Sequence, residues 1–205
     1  MRINLAQIWA RIYQEPRIKE LIKSFHDEAI EWCHGRSWLV RLPVLIWFIY
    51  ILINHLINPE YRSILGAFNY WVHEAGHLLL LPFVSGPFGL FLEAMAGTFL
   101  ECLMPVVFML AFYLKSDFFG ISFCFGWLST SLFYASWYIS TAQITDNLLH
   151  DWHLILGTMG LLQYNRVLAS IVKAGAVVMM LIGIISGLWL LWQMFKSREE
   201  RSEAI

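Results

Sequence analysis

Long apolar runs, broken by short polar stretches, fill the chain from residue 42 to residue 195. Runs of roughly 20 mostly apolar residues read as helices that cross a membrane. Segments 42–57, 63–84, 88–114, 118–140, 148–164 and 167–195 are predicted as six such spans. Ser85-Gly86-Pro87 makes a tight break, so the second and third segments are expected to form an antiparallel hairpin. Lys115-Ser116-Asp117 closes the third segment, and a polar stretch at 141–147 follows the fourth. The fifth is the weakest by hydropathy, and a re-entrant segment is its alternative. Upstream, Ile18, Leu21, Ile22, Phe25, Ala29 and Trp32 recur at helical spacing, with Lys19, Lys23, Asp27 and Glu28 elsewhere on the wheel. Residues 1–36 therefore read as amphipathic helices, the first over 3–13 and broken by Pro16. They are expected either on the membrane surface or packed on the bundle. The predicted fold class is all-α: a polytopic membrane helical bundle of about six transmembrane helices with an N-terminal amphipathic helical region.

Composition supports this picture. Only 14% of the 205 residues are charged, against about 25% in an ordinary soluble domain. Mean hydropathy is +0.59. Seven of the 14 basic residues fall between Arg2 and Arg41, and Arg62 and Lys115 are the only ones between Arg41 and Arg166. The positive-inside rule puts the N-terminus in the cytoplasm, and Lys196, Arg198 and Arg201 put the C-terminus there too. An even number of spans satisfies both, which favours six over five. Residues 196–205 are then a charged cytoplasmic tail. The net charge of −1 gives no electrostatic case for nucleic acid. Cys33, Cys102 and Cys124 lack C-x-x-C spacing and read as buried thiols, with no disulfide and no thiolate metal site. The first apolar run starts too far in for a cleavable signal peptide, so none is expected.

Candidate chemistry is concentrated in His73-Glu74-Ala75-Gly76-His77, inside the second span. An H-E-x-x-H run on a helix sets two imidazoles one turn apart on one face, with a carboxylate beside them. Ionisable groups at membrane depth are costly and read by default as functional. His73 and His77 are expected to ligate one Zn²⁺, and Glu74 to act as general base toward the zinc-activated water. A third ligand must come from elsewhere. Asp151 leads, as a carboxylate opening the fifth span; His150, His153 and Glu93 follow, as ligands or as groups that hold one. A helix N-cap is the plainer role for Asp151. Under six spans this cluster lies in the cytoplasmic half of the bilayer. Glu101 is expected roughly 12 Å deeper than Glu93 and fits the cluster poorly. Glu93, Gly97 and Glu101 lie on one helical stripe and are expected to face the bundle. Ser122, Gly126, Ser129, Ser136 and Ser140 nearly line one face of the fourth span. They read as small-residue packing, with a polar path to the site as the alternative. Arg166 and Lys173 read as snorkelling anchors.

The H-E-x-x-H at membrane depth, with an aspartate opening a later span, resembles the site-2 protease family of intramembrane zinc metallopeptidases, in a divergent bacterial-type branch. The resemblance covers roughly residues 64 to 163. The family usually shows the aspartate before Gly and after Asn-Pro; here it stands in His150-Asp151-Trp152-His153. The resemblance implies that 37–195 is a membrane-embedded metallopeptidase-like domain of a bacterial-type inner membrane. It also implies a transmembrane protein or peptide as substrate and lipid as surroundings. Two rivals stand beside it. One is a non-catalytic protease-like scaffold. The other is a di-iron membrane oxidase or hydroxylase built on His73, His77, His150 and His153; the remaining histidines, His26, His34 and His55, are scattered.

Overall fold

The structure is a computed structural model that describes residues 16–58, 60–144 and 150–203. The helix expected over 3–13 lies outside the described residues. Among those described there are seven α-helices and no strand. They are α1 (Pro16–Cys33), α2 (Leu42–Ile57), α3 (Ile64–Leu80), α4 (Gly86–Leu114), α5 (Phe118–Ser140), α6 (Asp151–Thr158) and α7 (Asn165–Glu203), with 3₁₀ turns at Leu81–Phe83 and Leu162–Tyr164. Local chemistry sets several boundaries. Ser63 Oγ accepts from Gly66 N at 3.1 Å and Asp117 Oδ1 from Gly120 N at 3.0 Å, each satisfying a first-turn amide. Pro43 stands in the first turn of α2, where no backbone donor is needed. The break before α4 needs a left-handed residue, and Gly86 supplies it at φ 65°.

Hydrogen bonds between helices fix their directions. Ser122, Ser129 and Ser136 on α5 donate to the carbonyls of Gly183, Ala176 and Ala169 on α7. The falling numbers show that α5 and α7 run antiparallel, with no turn of either left out. On α2, Leu45 sits by Gly187 and Ser122, Phe48 by Gly126, and His55 stacks on Phe133 at 4.4 Å, so α2 runs with α5. On α4, Phe108 lies by Trp127, and Glu101 O accepts from Ser131 Oγ at 3.3 Å, so α4 runs against α5. Helices α2, α4, α5 and α7 therefore connect the same two ends of the bundle. One end carries α1, the start of α2 and the charged end of α7; Trp38 packs on Phe195 there. The other, distal end carries the starts of α4 and α7, the end of α5, and α6.

Three helices are long and apolar enough to cross a membrane: α4, α5 and α7 with the turn before it. Helix α2 is apolar but has 16 residues. The segment expected as a fifth span behaves otherwise. Its helix, α6, has eight residues, about 12 Å, and the antiparallel seam of α5 and α7 leaves both of its ends at the distal end. It folds back instead of crossing, as in the re-entrant alternative. Helix α3 is interrupted by Asn69, His73, Glu74 and His77. It starts at mid-bundle, where Asn69 bonds Thr130 and Trp127, and ends distally beside the start of α4. Six full crossings are thus replaced by four helices that traverse the bundle and two that stay in its distal half.

Helix α1 is split between the two roles expected of it. Ala29 and Cys33 are buried against Phe118, Leu190 and Met194, whereas Leu21 and Ile22 are exposed. Cys33 Sγ donates to Leu190 O at 3.6 Å, and burial pushes its thiol up to about 11 despite Arg41 and Arg36 nearby. Cys33 and Cys124 are buried, and all three cysteines are free thiols.

Candidate metal centre

One face of α3 presents His73 and His77 to α4 and α6. Close approach of the backbones makes this possible. A Cβ at Gly76 would collide with the carbonyl of Ala96. A Cβ at Gly97 would stand 2.5 Å from His77 Nε2 and 2.6 Å from His73 Nε2. Glycine at 97 therefore leaves the room both rings occupy.

Asp151 is the first residue of α6, and that short helix is held by side chains on three sides. His150 caps it, accepting from His153 N at Nδ1 (3.3 Å), while its Nε2 lies 3.2 Å from Thr141 Oγ1. Its ring packs on Tyr138 at 4.1 Å. His153 Nδ1 donates to Ala142 O at 2.8 Å, and Trp152 Nε1 donates to Thr98 Oγ1 on α4 at 3.3 Å. His150 and His153, expected as alternative ligands, thus anchor the helix that carries Asp151.

Three donor atoms converge. His73 Nε2 lies 3.0 Å from His77 Nε2 and 3.2 Å from Asp151 Oδ2; His77 Nε2 lies 3.3 Å from that same oxygen. The other ring nitrogens face acceptors. His77 Nδ1 is 2.9 Å from Glu93 O and 3.2 Å from Glu93 Oε1. His73 Nδ1 is 3.5 Å from Glu101 Oε2, and neither it nor either Glu101 oxygen has another polar partner. With the ring protons on Nδ1, toward these neighbours, both Nε2 atoms carry lone pairs. In that tautomer two lone pairs and a carboxylate oxygen meet, in a place where His73 is 3% exposed.

A cation would satisfy these three atoms, and their spacing suits a zinc ion. Zn–N and Zn–O bonds of about 2.0–2.1 Å at tetrahedral angles put donor atoms roughly 3.3 Å apart. The observed edges of 3.0, 3.2 and 3.3 Å form a face of such a tetrahedron and leave the fourth corner open. Among the described residues, His73, His77 and Asp151 are the group able to hold a metal ion. Comparison of the chain with protein-family profiles, curated proteins and solved structures finds no match.

Glu74 faces the same space. It lines a cavity of about 510 Å³ together with the three donors, Arg62 and Tyr138. The rings of Tyr134 and Tyr138 lie 6.1 and 5.9 Å from that of His73. Arg62 sits over Tyr134 and Trp137 at 5.3 and 4.9 Å.

Two sequence expectations change here. Glu101 is not remote: it is 1% exposed and set against His73. Glu101 lies deeper than His77, but in an antiparallel hairpin His73 faces residues further along α4. The Glu93–Gly97–Glu101 stripe, which does face α3, already carried that signal. The cluster also lies in the distal half of the bundle, away from the described charged ends, because α6 does not cross.

Proposed function

We propose that this chain is an intramembrane zinc metallopeptidase. The observation that carries the reading is the convergence of ligand atoms from His73, His77 and Asp151 within 3.3 Å of one another, beside Glu74 in one cavity. Zinc bound there would polarise the scissile carbonyl and bring the pKa of a water in the open position to about 7. Glu74, lining the same cavity, would serve as the base that takes a proton from water and returns it to the leaving amine. Glu93 and Glu101 hold the two rings in the tautomer that leaves Nε2 free. Tyr138 stands across the cavity, where it positions Asp151 and walls the site. His150 and His153 do not join the clustered donors among the described residues, so the histidine set of a di-iron centre is not assembled there.

The basic residues near α1 and at the end of α7 support a cytoplasmic side for that end of the bundle. Among the described residues, α1 packs beside the last turns of α7. The metal centre then belongs to the outer half of a bacterial-type inner membrane, and its substrate is a transmembrane protein or peptide entering from lipid or from the non-cytoplasmic face.

The test pairs metal analysis with activity. The wild-type chain holds about one zinc per molecule, and His73→Ala and Asp151→Ala each lose it. Glu74→Gln keeps zinc while peptide cleavage falls about a hundred- to ten-thousand-fold. A Glu74→Gln protein with undiminished biological function would make the chain a scaffold; two irons per chain would make it an oxidase.

A further inference from the structure

On the other side of Trp137 from the metal centre lies a second cavity, of about 380 Å³, among α2, α5 and α7. Trp137 is a wall of both. Four residues of α7 face it: Arg166, Ala169, Ser170 and Lys173. Their spacing (i, i+3, i+4, i+7) is that of one helical face. Phe133 and Ile144 supply apolar walls, and His55 reaches in from α2.

The polar groups here are unbalanced in sign. Among the described residues no acidic residue lines the cavity. The hydroxyl protons are committed: Ser136 donates to Ala169 O, Ser140 to Trp137 O and Ser170 to Arg166 O. His55 is 6% exposed, and its Nε2 has no hydrogen-bond partner. Among the described residues neither Arg166 nor Lys173 has a salt bridge. What faces the space is therefore a guanidinium, an ammonium and an unpartnered imidazole nitrogen.

Snorkelling explains Arg166, at the start of α7. It explains Lys173 less well, since that residue lies roughly 12 Å into the helix and its side chain is partly buried. An uncompensated cation at that depth is costly unless an anion meets it. Arginine and lysine supply several N–H donors and positive charge, the combination that recognises phosphate oxygens. Apolar walls beside those donors suit a group attached to hydrocarbon.

We infer that this cavity binds an anionic phosphate group, held between Arg166 and Lys173 with His55 at its inner side. The chemistry is shared by a lipid headgroup and by free phosphate, and it is independent of the hydrolase reading.

Native mass spectrometry of the full chain in detergent separates the two sources. The probes are dioleoyl phosphatidylglycerol, dioleoyl phosphatidylcholine and inorganic phosphate, each added alone. Retention of phosphatidylglycerol at least about tenfold above that of the Arg166→Gln/Lys173→Gln double variant, with phosphatidylcholine poorly held, assigns a lipid headgroup. Retention of inorganic phosphate with the same dependence, and no lipid preference, assigns free phosphate. Lys173→Arg keeps binding in either case. Ser170→Glu places a negative charge on an exposed helix position and abolishes binding without removing either cation. Equal retention by wild type, the double variant and Ser170→Glu, or no retention of any probe by wild type, overturns the inference. Helical content by circular dichroism and elution volume in detergent, unchanged across the variants, show that the fold survives.

Discussion

Two polar regions lie within the apolar bundle, and their hydrogen bonds are opposite in kind. Along the α5–α7 seam, Ser122, Ser129 and Ser136 each donate to a backbone carbonyl at 2.6, 2.7 and 2.8 Å. Each of these three donors meets its carbonyl. This is the small-residue packing that the serine spacing predicts. At the α3–α4–α6 junction, two imidazoles and three carboxyl groups crowd together, and His73 Nδ1 and both Glu101 oxygens lack a hydrogen-bond partner. Polarity alone therefore does not mark a site in an apolar bundle; polarity that the protein cannot satisfy from its own atoms does. The second cavity falls on the same side of that line, with its surplus in cations.

The contrast breaks most severely at Gly97. Gly97→Ala puts a methyl group into the space of both Nε2 atoms, so the donor triangle cannot close. The expected loss of zinc affinity exceeds about a hundredfold. Gly175→Ala, which meets nothing within 4 Å, leaves zinc binding unchanged. Equilibrium dialysis against a zinc indicator measures both. Equal affinities would mean that the rings do not occupy the positions described.

A smaller effect sharpens the role of Glu101. Glu101→Gln is expected to weaken zinc binding about ten- to a hundredfold, because the His73 ring loses the carboxylate that fixes its tautomer. An affinity equal to that of wild type would show that Glu101 is an interior carboxyl with no influence on the metal.

The smallest change belongs to the seam. Ser129→Ala removes one interhelical hydrogen bond and should cost about 0.6 kcal/mol of stability in denaturant titrations, with zinc affinity unaltered. If zinc affinity moved with it, the two regions would be coupled and the seam would be part of the site.

Much of this was written in the chain at short range. The H-E-x-x-H pair, the stripe of Glu93, Gly97 and Glu101, the hairpin at Ser85-Gly86-Pro87 and the all-helical class follow from spacing and turn chemistry. Asp151 was the leading third donor, and the structure brings it to the rings. What spacing could not show is where a helix stops in depth. Hydropathy gives 148–164 the aspect of a weak span, yet α6 ends after eight residues, where Gly160 takes φ 69° and Leu161 N donates to Leu156 O at 2.8 Å, and its start is tied to Thr141, Thr98 and Ala142. The tie from Trp152 to Thr98 joins residues far apart in sequence, and no local pattern reports it. The same limit misplaced Glu101 and gave the site the wrong half of the bundle. Arg166 and Lys173 read as anchors for an equivalent reason: only packing of α2 against α7 reveals that they share a space with His55.

One further consequence follows from the placement of Asp151 on a separate short helix, anchored only after α5 is in place. A ribosome-bound fragment that ends before α6 carries two imidazoles and no third donor. On the proposed reading, synthesis makes a hydrolase whose blade stays sheathed until most of the polypeptide has entered the bilayer, so neighbouring chains threading through the same insertion machinery are spared.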